Sequence, residues 1–282
     1  MPATSGSVLI DVAQTVEQVV ARAVEEGQVS VDTELVWERT YYPRLALIQI
    51  AFSEDEWYLI DASVPETLPP LGPLLADPAI VKILHDAGQD LVILRRATGQ
   101  SPRSVFDTRV AAGFAGLTST ISLGGLLQEL TEIELAKTET RTDWFKRPLT
   151  RSQLDYAADD VRYLARARQI LLSRAEERGV GPWLQAELDQ LDDPELYAER
   201  DARQQFERVK GRGRLKPRQL AVLRELTAWR EDEARLQDLP RGRVASDKLL
   251  LLLAVRKPTT EAELGCWDPS SCLFVDIVRV VQ

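Results

Sequence analysis

The sequence predicts an α/β fold, a mixed sheet with helices packed on it, followed by a small all-α module. Three strand-like segments open the chain, and short buried strands then alternate with helical segments. The third observation is a change of charge. The 282 residues carry a net charge of −9, but residues 205–257 carry +7 and the remainder −16. An acidic body with a basic C-terminal segment indicates two functional parts.

The first half of the sheet is predicted from the N-terminal residues. Val8–Asp11 is typical of a short strand and Val16–Val24 of an amphipathic helix. Gln28–Val36 alternates and is rich in β-branched residues, so we expect a strand there. Leu45–Phe52 and Trp57–Ile60 flank a polar four-residue turn, which predicts a hairpin.

The βα alternation begins at Ile80–Leu84, a short buried-strand pattern followed by a helix that Gly99 ends. Thr150 and Gln153 form a capping-box pattern that opens one long helix to about Glu177. The other predicted helices lie at 109–114, 123–130, 188–206 (charged and connecting) and 219–235, with one more that Ser246 or Asp247 caps. The predicted domains are 1–180, a connecting helix or linker at 181–207, and a helical module at 208–282, whose last stretch, 265–282, has no predicted structure.

Composition excludes several kinds of site. The two cysteines, Cys266 and Cys272, and the single histidine, His85, cannot build a disulfide framework or a four-ligand zinc site. Any resident metal would need carboxylate ligands, which favour Mg²⁺ or Mn²⁺. The longest apolar run, Leu249–Val255, is much shorter than the roughly 18–20 residues of a membrane span, and no secretory signal is visible. We therefore expect a cytoplasmic protein without a disulfide-linked partner.

Three acidic patterns are candidates for catalysis. Asp32 and Glu34 stand at i and i+2 of a predicted strand, so both side chains point to one face. Asp90 begins a helix after a buried strand, where an acidic residue also stabilises the helix N-terminus, and Asp86 competes for its role.

Tyr156 and Asp160 are four residues apart on the long helix and share a face. Each pattern alone also fits a solvated surface: Asp193/Glu195 repeats the first and Tyr197/Asp201 the third, and we expect Asp159 to face solvent. Their joint order is more specific. Four carboxylates in one cleft repel one another unless cations lie between them, and two divalent ions roughly 3.5–4 Å apart suit in-line phosphoryl displacement.

The chain resembles the ribonuclease D family of 3′-to-5′ exonucleases, within the DEDD superfamily. The resemblance covers most of the chain and includes Val31–Ile50, His85–Leu91, Phe106–Thr108, Thr142–Leu149 and Tyr156–Asp160. The run from Leu215 resembles the HRDC module that follows the nuclease domain in that family.

That resemblance implies a ribonuclease H-like sheet and assigns roles to five residues. Asp32 and Glu34 match the first motif, Asp90 the second and Asp160 the third, as ligands of two divalent cations, Mg²⁺ or Mn²⁺. Asp32 is expected to bridge both. Tyr156 marks the tyrosine subtype, and its ordinary pKa near 10 suits orienting a water better than deprotonating it. The implied activity is 3′-to-5′ exoribonucleolysis that releases nucleoside 5′-monophosphates.

The departures from the family pattern are few. Leu35 replaces the usual Phe, and the HRDC pattern fades after about Leu264, so we expect that module to be incomplete. The implied partner is RNA with a free 3′ end, such as a tRNA precursor, acted on by a monomer. Two alternatives remain: a DNA 3′-5′ exonuclease, and a non-catalytic nucleic-acid-binding adaptor.

Outside the acidic motifs, the sequence leaves three features with two interpretations each. His85 has a structural hydrogen-bonding role, which we favour, or contacts substrate. Trp37 and Phe145 are core residues or stack on terminal bases. The basic run at 208–218 holds phosphates or is a solvated linker. Its candidate nucleic-acid-binding residues are Lys210, Arg212, Arg214, Lys216 and Arg218.

Overall fold

The computed structural model describes residues 9–37, 39–136, 142–199 and 201–258. The stretch 265–282, which includes Cys266 and Cys272, lies outside the described residues. The chain divides into two compact units, the first made of residues 1–36 and 45–198 and the second of residues 37–44 and 199–282.

The described residues of the first unit form a mixed sheet, as predicted, and this sheet has six strands. Its strands are β1 (Leu9–Ile10), β2 (Gln28–Val36), β3 (Arg44–Ala51), β4 (Trp57–Asp61), β5 (Val81–Leu84) and β6 (Val105–Asp107). Their order across the sheet is β1-β4-β3-β2-β5-β6. β3 and β4 pair antiparallel, with Ile48 opposite Ile60, whereas β2, β5 and β6 pair parallel. The strand that carries Asp32 and Glu34 is therefore central.

Helices cover both faces of the sheet. The helices of this unit are α1 (Ala13–Glu26), α2 (Leu71–Ala76), α3 (Gly88–Thr98), α4 (Thr108–Phe114), α5 (Leu123–Thr131), α6 (Arg151–Arg162), α7 (Leu164–Glu177) and α8 (Gly181–Asp189). Val29 and Val31 of β2 pack in the apolar core with α1, α2 and α3. The core on the other face is lined by residues of α4 to α8. Because side chains alternate along a strand, Asp32 and Glu34 project toward that second group of helices.

Two predicted boundaries differ from the structure. The single helix expected from Thr150 to Glu177 is two helices, because the chain bends at Tyr163, where φ is −102° and ψ −6°. The helix expected at 188–206 is instead the end of α8 and several short 3₁₀ turns. Leu184, Leu188 and Tyr197 are buried in the cores of the first unit, so residues 181–198 pack there and are not a free linker.

The second unit is helical, with α9 (Pro217–Gln237), α10 (Arg241–Val244) and α11 (Asp247–Arg256). Ser246 caps α11 by accepting a hydrogen bond from the Leu249 amide, as expected from its position. Fully buried Glu231 accepts hydrogen bonds of 2.7 Å from the Tyr41 hydroxyl and from Arg241 Nε. Among the described residues, no helix is both long and apolar enough to cross a bilayer.

Candidate active site

Three of the predicted carboxylates meet at one point. Asp32 and Glu34 come from the same face of β2, and Asp160 comes from the last turns of α6, which packs over that strand. One carboxylate oxygen from each residue lies within 4.8 Å of the others, and all three side chains are half-buried. The i, i+2 spacing on the strand therefore does what the sequence predicted.

Asp90 reaches the same site from the first turn of α3. It is outside the 4.8 Å group, yet close enough for its charge to raise the pKa values of both Asp32 and Glu34. The Thr33 hydroxyl donates a hydrogen bond to one Asp90 oxygen. All four predicted acidic residues are thus gathered in one place.

Tyr156 lies one turn before Asp160 on α6, and its hydroxyl is close enough to the Asp160 carboxylate to oppose the rise in the pKa of that carboxyl. The buried ring of Trp144 lies 6.1 Å from the Tyr156 ring, with 39° between their planes. Burial, and then the negative charges of Asp160, Glu34 and Asp32, raise the pKa of Tyr156 above its ordinary value. Tyr156 therefore keeps its proton at neutral pH and acts as a hydrogen-bond donor.

Burial and nearby negative charges disfavour the charged forms of the four acids. Burial and then mutual repulsion raise the pKa of Glu34 to about 9, and raise that of Asp32 well above its ordinary value. Burial is the largest cause at the other two residues as well, raising the pKa of Asp160 to about 7 and that of Asp90 to about 6. Positive charge between these groups would reverse the shifts.

The donor set fits divalent cations. It consists of carboxylate oxygens, which are the ligands that Mg²⁺ and Mn²⁺ prefer. Within the described residues, none of the four acids forms an ion pair with an Arg or Lys. A bound cation would therefore be what neutralises their negative charge. These residues could therefore hold divalent metal.

The competing acidic residues are engaged elsewhere. Asp86 pairs with Arg109. Asp159 pairs with Arg162 at 3.3 Å and is half-buried, so it is not fully solvent-facing as expected. Asp193 and Asp201 each accept a hydrogen bond from the backbone amide two residues on and so begin 3₁₀ turns.

His85 has the structural role that we favoured. Its Nδ1 is 2.9 Å from Thr108 Oγ1 and its Nε2 is 3.1 Å from the Ile121 carbonyl oxygen, so both ring nitrogens already have protein partners. Asp107 holds the same turn by accepting hydrogen bonds from the amides of Asp86 and Ala87. This turn leads directly into α3 and so places Asp90.

Three contributors to the site were not predicted from the sequence. They are Thr33, Trp144 and the ion pair of Arg147 with Asp61. The run Thr142–Leu149 did appear in the family resemblance, but nothing in it shows which distant residue each side chain contacts. Phe145 packs partly buried against the core, whereas the Trp37 side chain is 49% exposed.

The five candidate nucleic-acid-binding residues lie in the second unit, around a 3₁₀ turn at Arg212–Arg214 that precedes α9. Lys210, Arg212, Arg214, Lys216 and Arg218 are all exposed. Within the part of the chain that the structure describes, none of the five makes an ion pair. Their charge is therefore available to solvent or to a ligand.

Comparison with known proteins decides the family. Residues 8–176 match the family model for a 3′-5′ exonuclease, and residues 219–271 match that for an HRDC domain. The ribonuclease D of Desulfotalea psychrophila is 48% identical over 257 residues, which are 91% of this chain and 69% of that protein. The chain belongs to the ribonuclease D family.

Solved structures agree with the ribonuclease D assignment. The crystal structure of Escherichia coli RNase D, described as an exoribonuclease involved in structured RNA processing, matches with a TM-score of 0.88 and 30% identity. That match covers 98% of this chain and 74% of the other. Brucella melitensis NrnC with bound Mg²⁺ matches with a TM-score of 0.54 and 30% identity, over 61% of this chain and 83% of that one.

The predicted fold and enzyme class are confirmed by these matches: a mixed α/β exonuclease domain of the ribonuclease D family, a phosphodiester hydrolase, with a helical HRDC domain after it. The chain spans less than two thirds of some relatives. It covers 62% of the ribonuclease D of Pseudomonas paraeruginosa, at 40% identity over 84% of this chain.

Proposed function

We propose that this chain is a 3′-to-5′ exoribonuclease that hydrolyses terminal phosphodiesters with two divalent cations and releases nucleoside 5′-monophosphates. The observation that carries the proposal is the convergence of Asp32, Glu34 and Asp160 within 4.8 Å, with Asp90 beside them. Family membership supports the reaction class. The spatial arrangement supports the assignment of these particular residues.

All four carboxylates would take part in binding the cations. Asp32 interacts electrostatically with each of the other three acids, Asp90, Asp160 and Glu34. Together the four carboxylates would hold the cations. When bound, the two cations would activate a water for attack on phosphorus and stabilise the departing 3′ oxygen.

Tyr156 acts as the orienting group. Its hydroxyl keeps its proton, which is directed into the acidic group, so its oxygen can accept a hydrogen bond from a water and orient that water without deprotonating it. The packed Trp144 ring fixes the Tyr156 ring from the side. We assign the proton of the attacking water to solvent, because Tyr156 keeps its own proton and the four carboxylates would be engaged with the cations.

The proposed substrate is RNA with a free 3′ end, including tRNA precursors. Support comes from the relatives named ribonuclease D and from the structured RNA processing ascribed to the Escherichia coli protein. The exposed basic residues of the second unit would hold phosphates in a sequence-tolerant way. For the metal we propose Mg²⁺ or Mn²⁺, in line with the bound Mg²⁺ of the Brucella protein.

The decisive experiment is digestion of a 5′-labelled RNA with a 3′ hydroxyl, in Mg²⁺, Mn²⁺ or chelator. We expect stepwise shortening from the 3′ end, with nucleoside 5′-monophosphates as products and no reaction in chelator. Asp32→Ala and Asp160→Ala should each lower the rate by about 10³-fold, equivalent to about 4 kcal/mol. Asp155→Ala is the matched control, because Asp155 is exposed on the same helix and should leave the rate unchanged.

The alternatives predict other results in the same assay. Faster digestion of a DNA strand of equal sequence would favour the DNA exonuclease. RNA binding without any metal-dependent shortening would favour the non-catalytic adaptor. A tRNA carrying extra 3′ nucleotides, compared with an unstructured RNA, tests the preference for tRNA precursors.

The monomeric state and the cytoplasmic location are also proposals. The first is checked by light scattering of the purified chain, which should give the mass of one copy, 31.6 kDa. The second is checked by fractionation of cells that express it, with recovery in the cytoplasmic fraction expected.

A further inference from the structure

Thr33 of β2 contacts one of the acids of the candidate active site. It stands between Asp32 and Glu34 in the chain, and because side chains alternate along a strand it points to the opposite face from both. Its side chain is buried, with 8% exposure, on the side where α3 packs. From there its hydroxyl donates to a carboxylate oxygen of Asp90.

We propose that Thr33 is a positioning residue for the cation site, holding one oxygen of Asp90 so that the other is directed toward Asp32, Glu34 and Asp160. The inference rests on the proposed function, since it presumes that these acids bind cations. It adds that β2 supplies two ligands, Asp32 and Glu34, from one face. From its other face, β2 orients a third ligand, Asp90, which comes from α3.

The geometry explains why Asp90 needs such a partner. Asp32 and Glu34 are fixed by the strand, but Asp90 comes from the first turn of α3, and two side-chain torsions lie between its backbone and its oxygens. A hydrogen bond to one oxygen fixes those torsions before any cation arrives. Partners that hold a ligand from outside in this way typically change metal affinity by about 10–100-fold when they are removed.

Two substitutions separate the hydroxyl from the rest of the side chain. Thr33→Val keeps the branched shape and the strand preference but removes the donor, whereas Thr33→Ser keeps the donor and removes a methyl group. If the hydroxyl positions Asp90, Ser should preserve cation binding and Val should not. If Thr33 only fills space, the order should be reversed.

The test is a titration of the metal-free full chain with Mn²⁺, in which free Mn²⁺ is followed by electron paramagnetic resonance. We expect Thr33→Val to weaken Mn²⁺ binding about tenfold and Thr33→Ser to change it by less than about twofold. In parallel, the Mn²⁺ concentration that gives half-maximal exonuclease activity should rise for Val alone. Unfolding temperatures in chelator should show that Val is folded at least as stably as Ser.

Two results would overturn the inference. One is Mn²⁺ binding by Thr33→Val equal to that of the unsubstituted chain, and the other is equal weakening in the Val and Ser variants. Asp32→Ala tests the underlying site separately. If it bound Mn²⁺ as the unsubstituted chain does, the proposed cation site itself would fall, irrespective of what the Thr33 variants show.

Discussion

Arg147 and Asp61, 86 positions apart in the chain, form an ion pair through two parallel hydrogen bonds. Arg147 Nε lies 2.6 Å from Asp61 Oδ2, and Arg147 Nη2 lies 2.7 Å from Asp61 Oδ1. The same guanidinium donates to the carbonyl oxygens of Trp144 and Ala46. It thereby fastens the segment before α6, whose Trp144 packs beside Tyr156, to the end of β4.

The first prediction concerns this pair. Arg147→Lys should lower the free energy of unfolding by about 2–3 kcal/mol, because an ammonium cannot reproduce the paired geometry at a mostly buried carboxylate. Exonuclease activity should fall as well, since the Trp144 segment loses its anchor. Urea unfolding followed by tryptophan fluorescence measures the first effect.

Arg151→Lys provides the control for Arg147→Lys. Arg151 pairs with Asp155 at 2.8 Å but is exposed, so the change should cost less than about 0.5 kcal/mol. Equal stability losses in the two variants would contradict the role given to the Arg147–Asp61 pair.

The second prediction is that burial and repulsion of the active-site carboxylates lower the stability of the metal-free protein. A folded-state pKa of about 7 at Asp160 means that the folded chain binds more protons than the unfolded chain between about pH 4 and 7. The stability that protonated Asp160 contributes to the folded chain is therefore lost as pH rises through that window. Asp160→Asn should raise the unfolding temperature in chelator at pH 8 by about 4 °C.

With Mg²⁺ added, the unsubstituted chain should unfold at a higher temperature than Asp160→Asn, because the cation stabilises the unsubstituted chain more than the variant. Differential scanning calorimetry with and without Mg²⁺ measures both effects. Asp155→Asn, at an exposed position of the same helix, should show neither. A lower unfolding temperature for Asp160→Asn in chelator would contradict the repulsion that the geometry indicates.

The third prediction concerns Lys82 of β5, which is 1% exposed and lies among apolar side chains. Its Nζ donates to the carbonyl oxygens of Asp77 and Ile80, at 2.6 and 2.7 Å. Burial lowers the pKa of Lys82 to about 8, although Asp192 and Asp77 oppose the shift and Arg103 adds to it. The folded chain therefore binds fewer protons than the unfolded chain between about pH 8 and 10.5, so stability rises with pH there.

Lys82→Met should remove that rise. The difference in unfolding free energy between the chain and the variant should change by about 2 kcal/mol from pH 7.5 to pH 10, in favour of the unsubstituted chain at high pH. Urea unfolding at several pH values measures it. Parallel pH profiles for the two proteins would show that Lys82 is not desolvated in solution.

Much of the fold was predictable because it is local. Alternation at Gln28–Val36 and the polar turn after β3 predicted the strands almost to the residue. The bend at Tyr163 was not predictable, because apolar spacing continues across it and neither Pro nor Gly marks it. The packing of residues 181–198 was also missed, since three separated apolar residues in a charged stretch do not show where they are buried.

The candidate site also contains some features that the sequence predicts and others that it does not. The four acids and Tyr156 were predictable from residue type, order and family likeness. The bond from Thr33 to Asp90 spans 57 positions and that from Arg147 to Asp61 spans 86. Such pairs depend on how the strands are ordered in the sheet, which one sequence does not specify.

The fourth prediction concerns the basic residues of the second unit. Replacing Lys210, Arg212 and Arg214 by Gln should weaken RNA binding and make it less sensitive to salt. The reason is that each phosphate the protein no longer neutralises lowers the slope of log affinity against log salt by about 0.7. Fluorescence anisotropy with labelled RNA at several salt concentrations measures that slope.

Arg203→Gln is the matched control for the basic residues, since Arg203 lies in the same unit but pairs with Glu225 at 3.1 Å. It should leave the salt slope unchanged. An unchanged slope in the triple variant would mean that the basic segment is a solvated linker.

The proposed function requires that four acids, far apart in the chain, hold a pair of cations. Anomalous scattering at the manganese absorption edge, measured on crystals soaked in Mn²⁺, shows whether they do. Two peaks roughly 3.5–4 Å apart are expected among the carboxylates of Asp32, Glu34, Asp90 and Asp160. Strong manganese peaks elsewhere on the protein, with none among these carboxylates, would contradict the proposed function.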